Sequence, residues 1–172
     1  MSAFEVAKSP IRRATAADIP HILGFIRELA EYENEPDKVL ATEDLLAETL
    51  FGSTQYAKVL IAQDDDGTPT GFALYFYNYS TWNGRPGIYL EDLYVQPKYR
   101  RKNFGTLLLY ALAGELKQID GKRLEWSVLK WNTPSIEFYK SLGAVPLDEW
   151  DTMRIDGDRL TKLAEKAPFI GF

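Results

Sequence analysis

The chain has 172 residues, 45% of them hydrophobic and 26% charged, which is the size and balance of one soluble globular domain. Its 20 Lys plus Arg against 25 Asp plus Glu give a net charge of −5, so it is a poor general binder of polyanions, nucleic acid included. With no cysteine and one histidine, it has no means to build a disulfide scaffold, a thiol nucleophile, or a thiolate or histidine-cluster metal site, and no metal is expected.

Residues 1–13 lack the long apolar run of a signal peptide, and no later stretch reaches transmembrane length, so a cytoplasmic location with no membrane partner is expected. Val6 to Arg13 reads as a first strand. Asp18 and Pro20 suit the cap and first turn of a helix over Ile19 to Tyr32, with Ile22, Phe25, Ile26 and Leu29 on one stripe; His21, in that first turn, reads as a structural or exposed residue. Thr42 suits the cap of a second helix, Glu43 to Leu50. Tyr56 to Gln63 and Thr70 to Asn78 read as strands joined by an Asp-rich turn at 64–68, and Tyr89 to Val95 as a third. Phe104 to Lys117 reads as a helix burying Leu107, Leu108, Ala111 and Leu112. A strand over Arg123 to Leu129 and a helix over Pro134 to Leu142, closed by Gly143, follow. Two short strands are expected last, at Ala144 to Trp150 and Asp151 to Ile155. The order predicts a mixed α/β (α+β) sheet covered by helices.

Two stretches carry chemistry. In YLEDLYVQPKYRRKNFGTLLLYAL, Tyr89 to Leu112, a strand stops at Pro97, which lacks a ladder amide, and a basic turn leads into a helix. The first amides of a helix have no intrahelical acceptor, and Gly105 permits close approach to the backbone. Lys98, Arg100, Arg101 and Lys102 add positive charge to an otherwise acidic chain. The spacing matches neither a Walker loop nor a dinucleotide fingerprint, so the residues alone indicate a phosphate-bearing ligand. In LEWSVLKWNTPSIEFYKSLGA, Leu124 to Ala144, Asn132 opens a helix that places Ser135 and Tyr139 on one face. A tyrosine hydroxyl there serves either the core or proton donation to a leaving group. Trp126 and Trp131 read first as packing residues.

These stretches, with YSTWNGRPGIYLEDLYVQPKYR and LDEWDTMRI, resemble the acyl-coenzyme A motifs of the GNAT superfamily of N-acetyltransferases. More narrowly, they resemble its diamine/polyamine (spermidine/spermine) and thialysine group. The likeness runs from about Ile11 to Ile155. It implies a GNAT-type acyl-CoA N-acyltransferase fold, a twisted mixed sheet with helices on both faces, as one domain over residues 1–172. It also implies acetyl-CoA as co-substrate and a homodimer.

Residue by residue, the resemblance assigns Leu93, Tyr94 and Val95 to the strand that pairs with pantetheine. Arg100, Arg101, Lys102, Asn103, Phe104, Gly105 and Thr106 become the diphosphate turn. Asn103 stands where the family has its middle glycine, and asparagine is the residue after glycine that best tolerates left-handed backbone. Asn132 matches the asparagine that contacts the cofactor, and Tyr139 the acid that protonates the coenzyme A thiolate. Glu91 matches an acid that attracts the cationic acceptor and takes its proton through water. Its neighbour Asp92 reaches the same cleft only if a bulge re-aims the strand. The acetyl group passes directly from thioester to amine, in keeping with a chain that has no cysteine.

The segment from Asp18 to Glu48 carries nine acids, Glu28 and Glu31 among them, against two bases, a field suited to a small cationic amine. Trp82 and Tyr79 could stack on alkylammonium groups or bury a dimer interface. Two other readings stand beside this one: acetylation of protein or peptide amines, and a coenzyme A-binding module without turnover.

Overall fold

A computed structural model describes residues 9–168. The chain forms two compact units that meet between Ser127 and Val128. The first is a five-stranded sheet in the order β1-β2-β3-β4-β5. Its strands are β1 Ile11–Arg13, β2 Lys58–Gln63, β3 Pro69–Ser80, β4 Arg85–Val95 and β5 Leu124–Trp126. β1 to β4 pair antiparallel, whereas β5 joins β4 in parallel, so the sheet is mixed as expected. Of the strand expected over Val6 to Arg13 only Ile11–Arg13 forms among the described residues; Ser9 and Pro10 precede it outside the sheet, and Val6 to Lys8 lie outside the described residues.

Strand alternation divides the side chains between two faces. Val59, Ile61, Phe72 and Tyr94 face helix α1 (Ile19–Tyr32) and helix α2 (Glu43–Phe51), packing on Ile19, Ile22, Leu23, Phe25, Leu46 and Leu50. Phe25 stacks on Phe72 at 5.7 Å between ring centroids. Thr42 caps α2, its Oγ1 accepting from Leu45 N–H at 3.3 Å. At the other end of the fold's entry, the Asp18 carboxylate takes a two-pronged bond from Arg12 at 2.7 and 2.8 Å and accepts from Thr15 N–H. The Arg12 guanidinium, with help from Thr15, holds the Asp18 carboxyl down at about 2 against the opposing effect of burial.

Helix α3 (Phe104–Gln118) covers the other face. Its buried stripe is Phe104, Leu108, Leu109, Leu112, Glu115 and Leu116, whereas Leu107 and Ala111 are only half-buried. Glu115 is the residue periodicity did not anticipate. It accepts from Tyr75 Oη at 2.6 Å and from Tyr77 Oη, and pairs with Arg13 at 3.2 Å and Lys58 at 3.6 Å. It thus ties β1, β2 and β3 to α3. Burial pushes its carboxyl up, but the two tyrosine hydroxyls and the two cations outweigh that and hold it below the usual range. Because the folded value is depressed, Glu115 stabilises the fold above about pH 4.5 and that contribution is lost as pH falls through the folded value. Glu115→Ala strands the buried Tyr75 hydroxyl, and urea unfolding at neutral pH should show a loss of about 2–4 kcal/mol.

The second unit holds α4 (Thr133–Ser141) and α5 (Gly157–Ala164). Gly143 adopts φ +90°, and Gly143 and Ala144 donate back to Lys140 O and Tyr139 O, closing α4 as the sequence predicted. The two strands expected at Ala144 to Trp150 and Asp151 to Ile155 do not form. Pro146 brings no amide, Trp150 N–H turns back to Leu147 O, and Val145, Leu147, Trp150, Met153 and Ile155 are each more than half exposed. A strand preference is expressed only against a pairing neighbour, and these segments have none among the described residues. Helix α5 was not anticipated.

Candidate active site

The candidate site is built on β4. Leu74 pairs with Asp92 and Tyr75 with Leu90, which leaves Glu91 as the extra residue of a bulge. The bulge shifts the parity of the strand. Without it Asp92 would share a face with Leu90, towards α3; with it Asp92 lies with Tyr94 on the α1 face. Glu91 is exposed and Asp92 half-buried. Burial, then the charges of Glu91 and Glu33, push the Asp92 carboxyl up to about 6. Burial also raises Glu33, at the end of α1. The bulge therefore gathers three carboxylates, one of them in a poorly hydrated place.

Beyond the bulge β4 has a free edge. β5 pairs only with Ile88–Leu90, and no described strand pairs with Glu91–Val95 on that side. An extended amide-bearing ligand can be taken up there as an added strand. Gly71 packs opposite Val95, and a Cβ at this position would lie 2.4 Å from Tyr94 O, so the other edge of this segment needs glycine.

At the end of β4 the turn 96–103 leads into α3. Tyr99 N–H and Arg100 N–H bond back to Gln96 O and Pro97 O. Arg101 and Asn103 both take left-handed backbone, φ 66° and 62°. Asn103 caps α3 in that conformation without a side-chain bond to the helix, and the first helical bond runs from Leu107 N–H to Asn103 O. The amides of Phe104, Gly105 and Thr106 precede it and carry the positive end of the helix. Left-handed backbone at an arginine is costly, and such strain gathers where a loop is shaped for a ligand. The side chains of Lys98, Arg101, Lys102 and Asn103 are exposed around this cradle, with Lys98 and Lys102 over the ring of Tyr99. Arg100, also exposed, bonds back to the strand: its Nε donates to Val95 O at 3.1 Å, and its guanidinium lies 5.4 and 5.9 Å from the ring centroids of Tyr32 and Tyr94.

Within the second unit, Asn132 is buried at the N-cap of α4, where its Oδ1 accepts from Ser135 N–H at 3.3 Å. Tyr139 stands seven residues on, on the same side of α4, half-buried, with its ring 5.3 Å from that of Phe138.

The first unit thus brings together Glu91, Asp92, Leu93, Tyr94, Val95 and the turn from Arg100 to Thr106. Glu28 lies next to this group but is engaged by Gln96. Glu31 is exposed on α1. Trp82, 92% exposed at the β3–β4 hairpin tip, is separated from the bulge by about 20 Å of strand. Sequence reasoning named Arg101 for its charge but not for its left-handed backbone, and did not single out Glu33 or Gln96. The end of the acidic helix was the available signal for Glu33; nothing in the residue types marked Gln96. Among the described residues no group of three or more His, Asp or Glu is arranged to hold a metal ion, and no helix is long and apolar enough to cross a membrane.

Residues 22–144 match the Acetyltransferase (GNAT) family. Among similar proteins, a thialysine N-epsilon-acetyltransferase of Bos taurus is 39% identical over 166 residues, covering 91% of this chain and 97% of that protein. An L-ornithine acetyltransferase of Arabidopsis thaliana is 32% identical, covering 88% and 86%. Among solved structures, an integron cassette protein from the mobile metagenome of V. cholerae superposes with a TM-score of 0.76 at 30% identity, covering 91% of this chain and 97% of that one.

Proposed function

The chain belongs to the acetyltransferase (GNAT) family, and from that membership we propose that it transfers acetyl from acetyl-CoA directly to the primary amine of a small cationic acceptor of the thialysine, lysine-like, diamine or polyamine type. The observation that carries the acceptor reading is the β4 bulge, which sets Glu91 and Asp92 beside the free edge of the same strand.

Acetyl-CoA supplies an activated thioester; the protein's part is to hold it and to manage charge and protons. The free edge at Leu93–Val95 suits the amides of pantetheine, and the amides of Phe104, Gly105 and Thr106, with Arg101 and Lys102, suit the diphosphate. Glu91 and Asp92 hold the ammonium of the acceptor. A carboxylate near 6 is still far below an alkylammonium near 10, so neither acid strips the proton in bulk fashion. Their negative charge gathers the cation, and Glu91, exposed to water, passes the proton outward once the amine is desolvated. Tyr139 gives its proton to the departing thiolate, and Asn132 helps orient the donor. No acyl-enzyme is formed.

In this reading the two units make one acetyltransferase domain, which agrees with a family match that crosses from one to the other. The protein is a cytoplasmic homodimer. Trp82, distant from the bulge of its own chain, then serves an acceptor cleft across the dimer interface. The test is release of free thiol from acetyl-CoA in the presence of thialysine, ornithine, lysine, spermidine, short diamines and a basic peptide. The small cations should be acetylated. Turnover of the peptide alone would point to protein amines, and no turnover with any amine would leave a coenzyme A-binding module.

The left-handed cap yields a further expectation. Asn103→Gly should bind coenzyme A within about threefold of the parent, whereas Asn103→Val, which puts a β-branched residue at φ 62°, should weaken binding about tenfold in calorimetric titration.

A further inference from the structure

Glu28 lies on α1, in the acidic segment that faces the acceptor side, yet its partners are on the donor side. Its Oε1 accepts from Gln96 Nε2 at 2.9 Å, and burial together with the charge of Glu28 pushes the Tyr94 hydroxyl up to about 12. Tyr94 and Gln96 are the last inward-facing residue of β4 and the first residue of the turn. Arg100 completes the assembly. It bonds to Val95 O and lies against the rings of Tyr94 and Tyr32. Tyr32 belongs to α1 and lies one helical turn beyond Glu28. Two residues of one helix therefore grip the end of β4 and the arginine that opens the anion cradle.

We propose that Glu28 is a positioning residue for the donor site: by bonding Gln96 it fixes the β4 end against α1, beside the Arg100 guanidinium that lies over Tyr32, so that the strand edge and the α3 amides stand ready for coenzyme A. The inference rests on the reading of that strand and turn as the donor site. A carboxylate suits the position because a charge-assisted bond from the Gln96 amide holds more firmly than a neutral one. Glu28 leaves the acceptor alone; Glu91 and Asp92 face it.

The experiment is calorimetric titration of coenzyme A, with the steady-state constants for acetyl-CoA and acceptor, on the parent, Glu28→Ala, Gln96→Leu and the exchanged pair Glu28→Gln/Gln96→Glu. In Glu28→Ala both the coenzyme A dissociation constant and the acetyl-CoA KM should rise about tenfold, while the acceptor KM and kcat stay within about twofold. Gln96→Leu should show a smaller rise of the same kind. The exchanged pair, which keeps one carboxylate and one amide facing each other, should recover most of the loss. It also decides the matter if Glu28→Ala folds poorly. Unchanged coenzyme A binding in Glu28→Ala, a rise confined to the acceptor KM, or an exchanged pair no better than Gln96→Leu would each overturn the assignment. A parent that binds no coenzyme A would overturn the donor-site reading and this inference with it, an outcome distinct from a parent that binds and variants that bind equally well.

Discussion

Tyr139→Phe is expected to lower kcat about a hundredfold while coenzyme A binding changes less than about threefold. The ring and its contact with Phe138 survive the exchange, so α4 should keep its packing. What is lost is one proton, at the moment a thiolate leaves. Positioned general acids are worth about a hundredfold or more. Single-turnover measurement of thiol release separates this from a change in binding. An undiminished rate would remove Tyr139 from the chemistry and return it to the role of a packing residue.

Asp92→Asn should lower kcat/KM for the acceptor about a hundredfold and erase the acid limb of its pH profile. In the parent, Asp92 is pushed up to about 6 by burial and by Glu91 and Glu33, so the fraction able to hold a cation rises as pH passes through 6. The sign for stability is opposite. A carboxyl whose folded pKa is raised contributes most below its unfolded value, near 4, and that contribution is lost as pH rises through 6. Asp92→Asn should therefore be more stable than the parent at pH 7.5, by an amount of order 2 kcal/mol, and lose that advantage below about pH 4. Higher stability with lower activity marks a group kept for function at a cost to the fold. Asp92→Asn with unchanged acceptor kinetics and a retained acid limb would place the essential carboxylate elsewhere.

Much of this fold could be read from the residues, because its local signals agree. Pro20 and the Ile22–Phe25–Leu29 stripe define α1 to the residue, and Thr42 and Gly143 mark the start of α2 and the end of α4. The strands were less sharply bounded. β3 and β4 run on to Ser80 and Arg85 because they pair with each other along the hairpin, and pairing is invisible in either segment alone. The same limit explains the missing strands after Gly143: alternation without a partner strand forms no ladder. At the candidate site, the turn from β4 into α3 was legible from Pro97, the basic residues and Gly105. Asn103 at a left-handed position agrees with the tolerance its side chain suggested. The bulge was recognised as a requirement for Asp92 to reach the cleft, but its place depends on the register with Leu74 and Tyr75. Glu115 and Glu28 mislead in sequence, since a helix carboxylate usually faces water. Their partners, Tyr75 and Tyr77 for one and Gln96 for the other, come from distant parts of the chain that only the assembled sheet brings near.

The central claim is direct acetyl transfer to a small cationic amine. Initial rates of thiol release over a grid of acetyl-CoA and thialysine concentrations, repeated with spermidine, test it most directly. Intersecting reciprocal plots with at least one of these amines are predicted, since both substrates must be bound before acetyl moves. Parallel plots would reveal an acyl-enzyme, and the absence of amine-dependent thiol release with either acceptor would contradict the assignment.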